Sequence, residues 1–392
     1  MSRDTASVVE DSKSTKLLST RELSVGHNGD NADKIYFPEL DGLRFLAFMM
    51  VFVFHFVVFT QILTQSILMY FWSGVDLFFV LSAFLFAKLL TSEYSRWKTI
   101  NFRKFYLRRI FRIWPIYFLY ISLMVLYYAL KHRPFTHYFV MRIIALYTFT
   151  DNLVSAFKGL TPVPFSVHLW TIGFEEQFYL FVPITILLLA RSSFKRRWVF
   201  YGSVFVLFTG IRIWLVSIHA PYPSIYVLPF THFESILLGI IIGFGDLDFL
   251  LGKVKPLLIG LLGLVFFGLL CFTPNITVIS YLSNFTYLFV GIFTSLILFS
   301  VTKSALLKKI FSFGPFVYLG KRSYGLYVYH LLGYGLAMSV EYRVPALHSN
   351  LPALFLLWLG FTILIGVISY RVIEVPFLKL KKKFEVVHSR PI

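Results

Sequence analysis

The first apolar run of the chain carries two residues that do not belong in lipid. It reads Phe37-Pro-Glu-Leu-Asp-Gly-Leu-Arg44, and eleven positions further on comes His55. An ionisable side chain at membrane depth is costly, so it marks either function or internal pairing. Eleven helical residues make three turns plus about 20°, with a rise of about 16 Å. Arg44 and His55 therefore share one face, the first near the interface and the second near mid-depth. A guanidinium at the surface can hold phosphate, and an imidazole beneath it can take a proton or an acyl group. A slender carrier with phosphates at one end and a thioester at the other, such as coenzyme A, would engage both. The competing reading has Arg44 snorkelling to the interface and His55 hydrogen-bonded to a neighbouring helix. Spacing alone leaves the two open.

Further polar groups follow the same logic. Asp76, in Gly74-Val-Asp-Leu-Phe-Phe-Val-Leu-Ser82, enters the second run at a depth close to His55. It could orient the imidazole and stabilise its cation, cap a helix start, or pair with Arg212. Arg108, Arg109 and Arg112 are three and four apart, on one side of a helix whose apolar residues recur at helical spacing. Such a cluster suits phosphates or, equally, anionic lipid heads. This helix is expected to lie in the interface and to end or kink before Pro115. The segment His168-Leu-Trp170-Thr-Ile-Gly-Phe-Glu175-Glu176 sets two adjacent carboxylates on different sides of a helix. One, assigned as Glu175, could take a proton, while Glu176 and Trp170 could bind an acceptor; a carboxylate on the far side would face water or cap the helix. His330, about 10 Å into its run, is a further candidate for binding the acceptor, and Glu374 marks a polar hinge. No group has metal-ligand spacing, and no tightly bound cofactor is expected. Cys271 stands alone, so no intrachain disulfide is expected.

These side chains need a scaffold, and composition names its solvent. Of 392 residues, 57% are hydrophobic and only 14% charged, too apolar a balance for a water-soluble domain. We expect an all-α polytopic transmembrane bundle of about ten spans. They fall at about 43–63, 71–90, 113–130, 174–190, 198–218, 226–245, 256–273, 281–301, 323–340 and 351–373. An apolar stretch at Tyr138–Phe149 is too short to span and reads as re-entrant or interfacial. The net charge of +18 could suggest nucleic acid, but the basic residues divide 24 to 5 between alternate connections. That bias places both termini in the cytosol and explains the basicity without a polyanionic partner. Residues 1–36 read as a disordered cytosolic leader rather than a signal peptide, 37–378 as the transmembrane domain, and 379–392 as a basic cytosolic tail.

In order along the chain, six segments carry a family resemblance. They are Glu39-Leu-Asp-Gly-Leu-Arg44 with His55, Gly74–Phe84, Arg109-Ile-Phe-Arg112-Ile-Trp-Pro115-Ile-Tyr117, His168–Tyr179, Ser323–His330 and Ile373-Glu-Val-Pro-Phe377. Together they resemble the acyltransferase 3 family of integral-membrane enzymes, which acylate O-antigen, peptidoglycan, exopolysaccharide and macrolides. The resemblance implies a ten-span fold in the cell (inner) membrane and a cytosolic acyl-coenzyme A co-substrate, acetyl-coenzyme A above all. It also implies a catalytic His55, with Arg44, Arg109 and Arg112 at the donor. The expected acceptor is a hydroxyl of a cell-envelope carbohydrate or lipid-linked glycan, with a macrolide second. Two departures stand out: Ala83 replaces a usual glycine, and Thr171-Ile-Gly-Phe replaces a Ser-Leu-Ser-Val-like run. The rival reading is a multi-span transporter of a small polar or sugar-linked solute.

Overall fold

The computed structural model describes residues 35–64, 66–347 and 349–387, and those residues form helices without strands. Most of the expected leader, residues 1–34, and the last five residues of the tail lie outside the described residues.

Helix α1 (Pro38–Thr60) opens with a proline in its first turn, where the missing N–H costs nothing. A 3₁₀ turn at Ile67–Ser73 leads into α2 (Gly74–Trp97), and α3 spans Phe102–Leu130. Two short helices, α4 (His137–Tyr147) and α5 (Asp151–Lys158), fill the long connection that follows. Next come α6 (Trp170–Ala190), α7 (Phe194–Ser217), α8 (Ser224–Val227), α9 (Phe233–Phe244), α10 (Asp248–Leu251) and α11 (Pro256–Leu270). The chain closes with α12 (Ser283–Lys303), α13 (Ala305–Phe311), α14 (Gly314–Lys321), α15 (Ser323–Glu341), α16 (Leu351–Ser369) and α17 (Val375–Lys382). A π-helical turn at Tyr370–Glu374 joins the last two.

Seven of the helical runs are long and apolar enough to cross a membrane. At the remaining expected spans, α9 and α11 are shorter, with 12 and 15 residues. Helix α15 is long enough but rich in Tyr and Gly. The outward faces of α7 and α11 expose Val199, Val206, Leu207, Leu261, Leu264 and Val265. Hydrocarbon, not water, covers such faces in an integral multi-pass membrane protein.

Helix α2 is the central post, touching α1, α6, α9 and α12. Its contact with α9 accounts for the alanine at position 83. A side chain on Gly239 would meet the Val80 carbonyl at 2.6 Å and the Ala83 Cβ at 2.9 Å. The small residue that close packing requires is supplied by the partner helix, so α2 can carry an alanine. Near the start of α1, a Cβ on Gly42 would collide with the Phe311 carbonyl, and one on Gly320 with that of Asp41. Backbone-to-backbone contact thus pins the turn that carries Arg44.

Two expectations need correction. Pro115 does not end the helix and leave a separate interfacial piece: α3 runs from Phe102 to Leu130 through it. The missing hydrogen bond is a local cost, offset where Ile113, Ile116 and Tyr117 are buried and Tyr324 donates to the Ile113 carbonyl at 2.8 Å. The boundary drawn at 378 falls inside α17, which packs on α3. Arg108 donates to the Phe384 carbonyl at 2.9 Å, and Phe384 stacks on Phe111.

Candidate active site

Three chambers of similar size lie in series in the bundle, each sharing lining residues with the next. A basic vestibule of about 630 Å³ is bordered by the start of α1, by α2 and α3, and by Lys381 of α17. Beyond it a middle chamber of about 700 Å³ shares Arg44, Ser82, Arg109 and Arg112 with the vestibule. A third space of about 640 Å³, the histidine chamber, is lined by His55, His168, Trp72, Trp170, Tyr222 and Tyr226 among others. Among the described residues, none that lines that third chamber carries a formal charge when its histidines are neutral.

The arginines differ in how their donors are spent. Arg44 is tied to Asp41 of its own turn at 3.1 Å. Arg109 lies over the Phe86 ring at 4.9 Å, its buried Nε without a hydrogen-bond partner. Among the described residues neither Arg109 nor Arg112 makes an ion pair or a hydrogen bond. Two half-buried guanidinium groups three residues apart on one face of α3, with the Glu175 carboxylate lining the same chamber, keep donors of the kind that hold an anion.

His55 does not stand alone. Its Nδ1 donates to the Val51 carbonyl at 2.9 Å and lies 3.3 Å from Nε2 of His330. His330 Nδ1 in turn meets the Tyr327 carbonyl at 2.6 Å, and its ring lies 4.6 Å from that of His168. A carbonyl only accepts, so these partners assign the protons. His330 carries its proton on Nδ1, its Nε2 accepts from His55 Nδ1, and His55 Nε2 keeps a bare lone pair with no partner among the described residues. His168 donates from Nε2 to the Val328 carbonyl at 3.1 Å, which leaves its buried Nδ1 without a partner.

Several sequence-based assignments move. Asp76 does not orient His55: its carboxylate receives His232 Nδ1 at 3.0 Å and Ser235 Oγ at 2.8 Å. His232 Nε2 also meets a carbonyl, that of Tyr226 at 2.8 Å. The ring is thus held between the Asp76 carboxyl group and the Tyr226 carbonyl. Arg212, the other partner considered for Asp76, is bound instead to Glu234. Glu175 lines the middle chamber beside the arginines, accepting from Ser82 at 3.1 Å, and so does not share a chamber with His55. Glu176 faces neither water nor a helix end but receives Trp114 Nε1 at 3.2 Å. His330 is fully buried, lies within 3.3 Å of the His55 ring and lines none of the three chambers. Trp170 does line the histidine chamber, its ring 4.8 Å from that of Tyr226. Sequence reasoning gave no role to His232, though an ionisable residue inside the apolar run at 226–245 was a signal available to it.

Comparison with known proteins identifies the family. Residues 37–371 match the acyltransferase domain family designated acyltransferase 3. A provisionally named O-acetyltransferase of Staphylococcus aureus strain COL is 30% identical over 365 residues, covering 88% of this chain and 58% of the relative. The peptidoglycan O-acetyltransferase OatA of Listeria monocytogenes is 26% identical over 370 residues, covering 88% and 56%. The O-acetyltransferase OatA of Staphylococcus aureus strain NCTC 8325 is 30% identical over 363 residues, covering 88% and 57%. The chain thus spans less than three-fifths of the length of the curated relatives it matches. No solved structure matches it.

Proposed function

Since the chain belongs to the acyltransferase 3 family of membrane proteins, we propose that it moves an acyl group, acetyl in the first instance, from acyl-coenzyme A to a hydroxyl. The acceptor in this reading is a cell-envelope carbohydrate or lipid-linked glycan, as the name of the Listeria relative suggests. The observation that carries the proposal is the pair Arg109 and Arg112, with no ion-pair or hydrogen-bond contact among the described residues, in a chamber that shares lining residues with the one holding His55. Phosphates of the donor rest on those two guanidinium groups and on Arg44, while its slender arm points toward the histidines. His55 Nε2, bare and backed by His330, takes the proton of the acceptor hydroxyl as it attacks the thioester carbon. His330 fixes the tautomer that makes this possible. An acyl-histidine route would use the same nitrogen.

The test uses the full-length protein in lipid nanodiscs with radiolabelled acetyl-coenzyme A and cell-envelope glycan. Covalent label on the glycan is expected. Arg112→Ala should raise the donor KM by roughly 10-fold or more, the loss of a charge-assisted hydrogen bond. An unchanged KM would return Arg112 to a lipid-facing role. Uptake of unmodified solute into vesicles, without label transfer, would favour the transporter.

A further inference from the structure

The middle chamber and the histidine chamber have three lining residues in common, Val75, Thr171 and Tyr327. These form the wall between them. Two of the three bear hydroxyls, and the two oxygens lie 2.7 Å apart. Each also reaches the His168 carbonyl, Thr171 Oγ1 at 3.0 Å and the Tyr327 hydroxyl at 3.1 Å. Two protons serve three contacts, so the Tyr327 proton has a choice of acceptors and is not committed to one. Tyr327 is tied to the histidines as well. Its backbone carbonyl holds the His330 Nδ1 proton, and its ring lies 5.6 Å from that of His330 and 5.4 Å from that of His168. Phe78 packs against it edge-on at 5.9 Å.

A chemical role for this wall depends on the proposed function, in which the donor enters from the arginine side. The donor's thioester must then meet His55 through the wall, with the carbonyl oxygen arriving beside the two hydroxyls. The geometry points to Tyr327 as the hydrogen-bond donor that stabilises the oxyanion of the transfer step, with Thr171 placing its hydroxyl. In that step the acceptor oxygen gives its proton to His55 Nε2 and its electron pair to the thioester carbon. The carbonyl π pair moves onto oxygen, and the Tyr327 O–H turns from Thr171 to meet the new charge. On collapse the C=O bond reforms, the C–S bond breaks, and the departing thiolate takes the proton back from His55. Tyr327 keeps its own proton throughout. Preorganised donors aimed at a developing charge are among the strongest contributions a site can make.

Tyr327→Phe keeps the ring packed against Phe78, His168 and His330 and removes one oxygen. The kcat for labelled acetyl transfer should fall about 100-fold or more, the range for loss of one oxyanion donor, with the donor KM unchanged to within about twofold. A kcat within about threefold of wild type overturns the assignment. So does a loss confined to KM, which would mean Tyr327 only shapes the passage. Binding supplies a second reading that does not depend on turnover. The trifluoromethyl ketone analogue of acetyl-coenzyme A, hydrated at its carbonyl, mimics the tetrahedral oxyanion, whereas S-propyl-coenzyme A does not. Wild type should favour the ketone, and Tyr327→Phe should lose that preference while still binding the propyl thioether. If Tyr327→Phe fails to fold, Thr171→Val carries the test and must lose part of the preference. A preference kept in the variants overturns the oxyanion role alone. Failure of wild type to bind either analogue overturns the donor reading, and this inference with it.

Discussion

Alanine at position 55 is expected to cut acyl transfer by about 10²–10⁴-fold, the share that a positioned general base supplies. The protein should still fold and insert. His55 spends its Nδ1 on a carbonyl of its own helix and on His330, and neither bond holds two helices together unaided. Donor binding should also survive, because Arg44, Arg109 and Arg112 line the other two chambers. The measurement is label transfer in nanodiscs, paired with retention of S-propyl-coenzyme A binding. His55→Gln sharpens it, since glutamine can still contact His330 but cannot accept the proton, and it should be as inactive as alanine. Wild-type transfer in either variant would remove His55 from the chemistry.

The largest effect on stability is expected at Arg212. Its guanidinium is 1% exposed, bound to the Glu234 carboxylate, and donates to Asn284 Oδ1 and the Thr231 carbonyl, each at 3.0 Å. It also lies over the Tyr287 ring at 4.9 Å. Arg212→Met preserves much of the volume but leaves Glu234 buried beside no counter-charge, which costs about 3–5 kcal/mol. The fraction of monodisperse protein left after heating in detergent would read this. Arg212→Met combined with Glu234→Leu should recover most of the loss, since a buried pair replaced by apolar groups is often neutral. If the single variant resists heat as well as wild type does, the pair is not holding α7 to α9. Thr231 and Glu234 flank His232, so this pair also steadies the residue that holds Asp76.

Much of the site could be read from local spacing, because helices turn spacing into direction. Arg44 and His55 eleven apart, and Arg109 and Arg112 three apart, each had to share a face, and both sets line this series of chambers. What spacing cannot supply is the partner across helices. His232 meets Asp76 from 156 positions away, and His330 meets His55 from 275. Nothing in either helix alone selects those pairs. Pro115 misled for a related reason: its helix-breaking preference is local, and packing on both sides of α3 overrides it. The same packing turned Glu176 inward to Trp114, where a two-sided reading of adjacent carboxylates sent one to water. Tyr327 stood in plain view beside His330, but only the two chambers reveal it as a shared wall.

The uncharged lining of the histidine chamber has a bearing on how turnover responds to ionic strength. In the proposed reaction the donor is held by the arginines and the lysine that line the vestibule, and added salt weakens such attraction wherever solvent reaches it. An acceptor beside His55 meets aromatic rings and no fixed charge, so an ionised group carried into that space would give up its hydration for nothing. Raising sodium chloride should therefore increase the donor KM while the acceptor KM stays flat, a split that steady-state titration of each substrate would show. Acceptors that carry a carboxylate or phosphate can be used only if that group stays at the chamber mouth while a neutral hydroxyl reaches in.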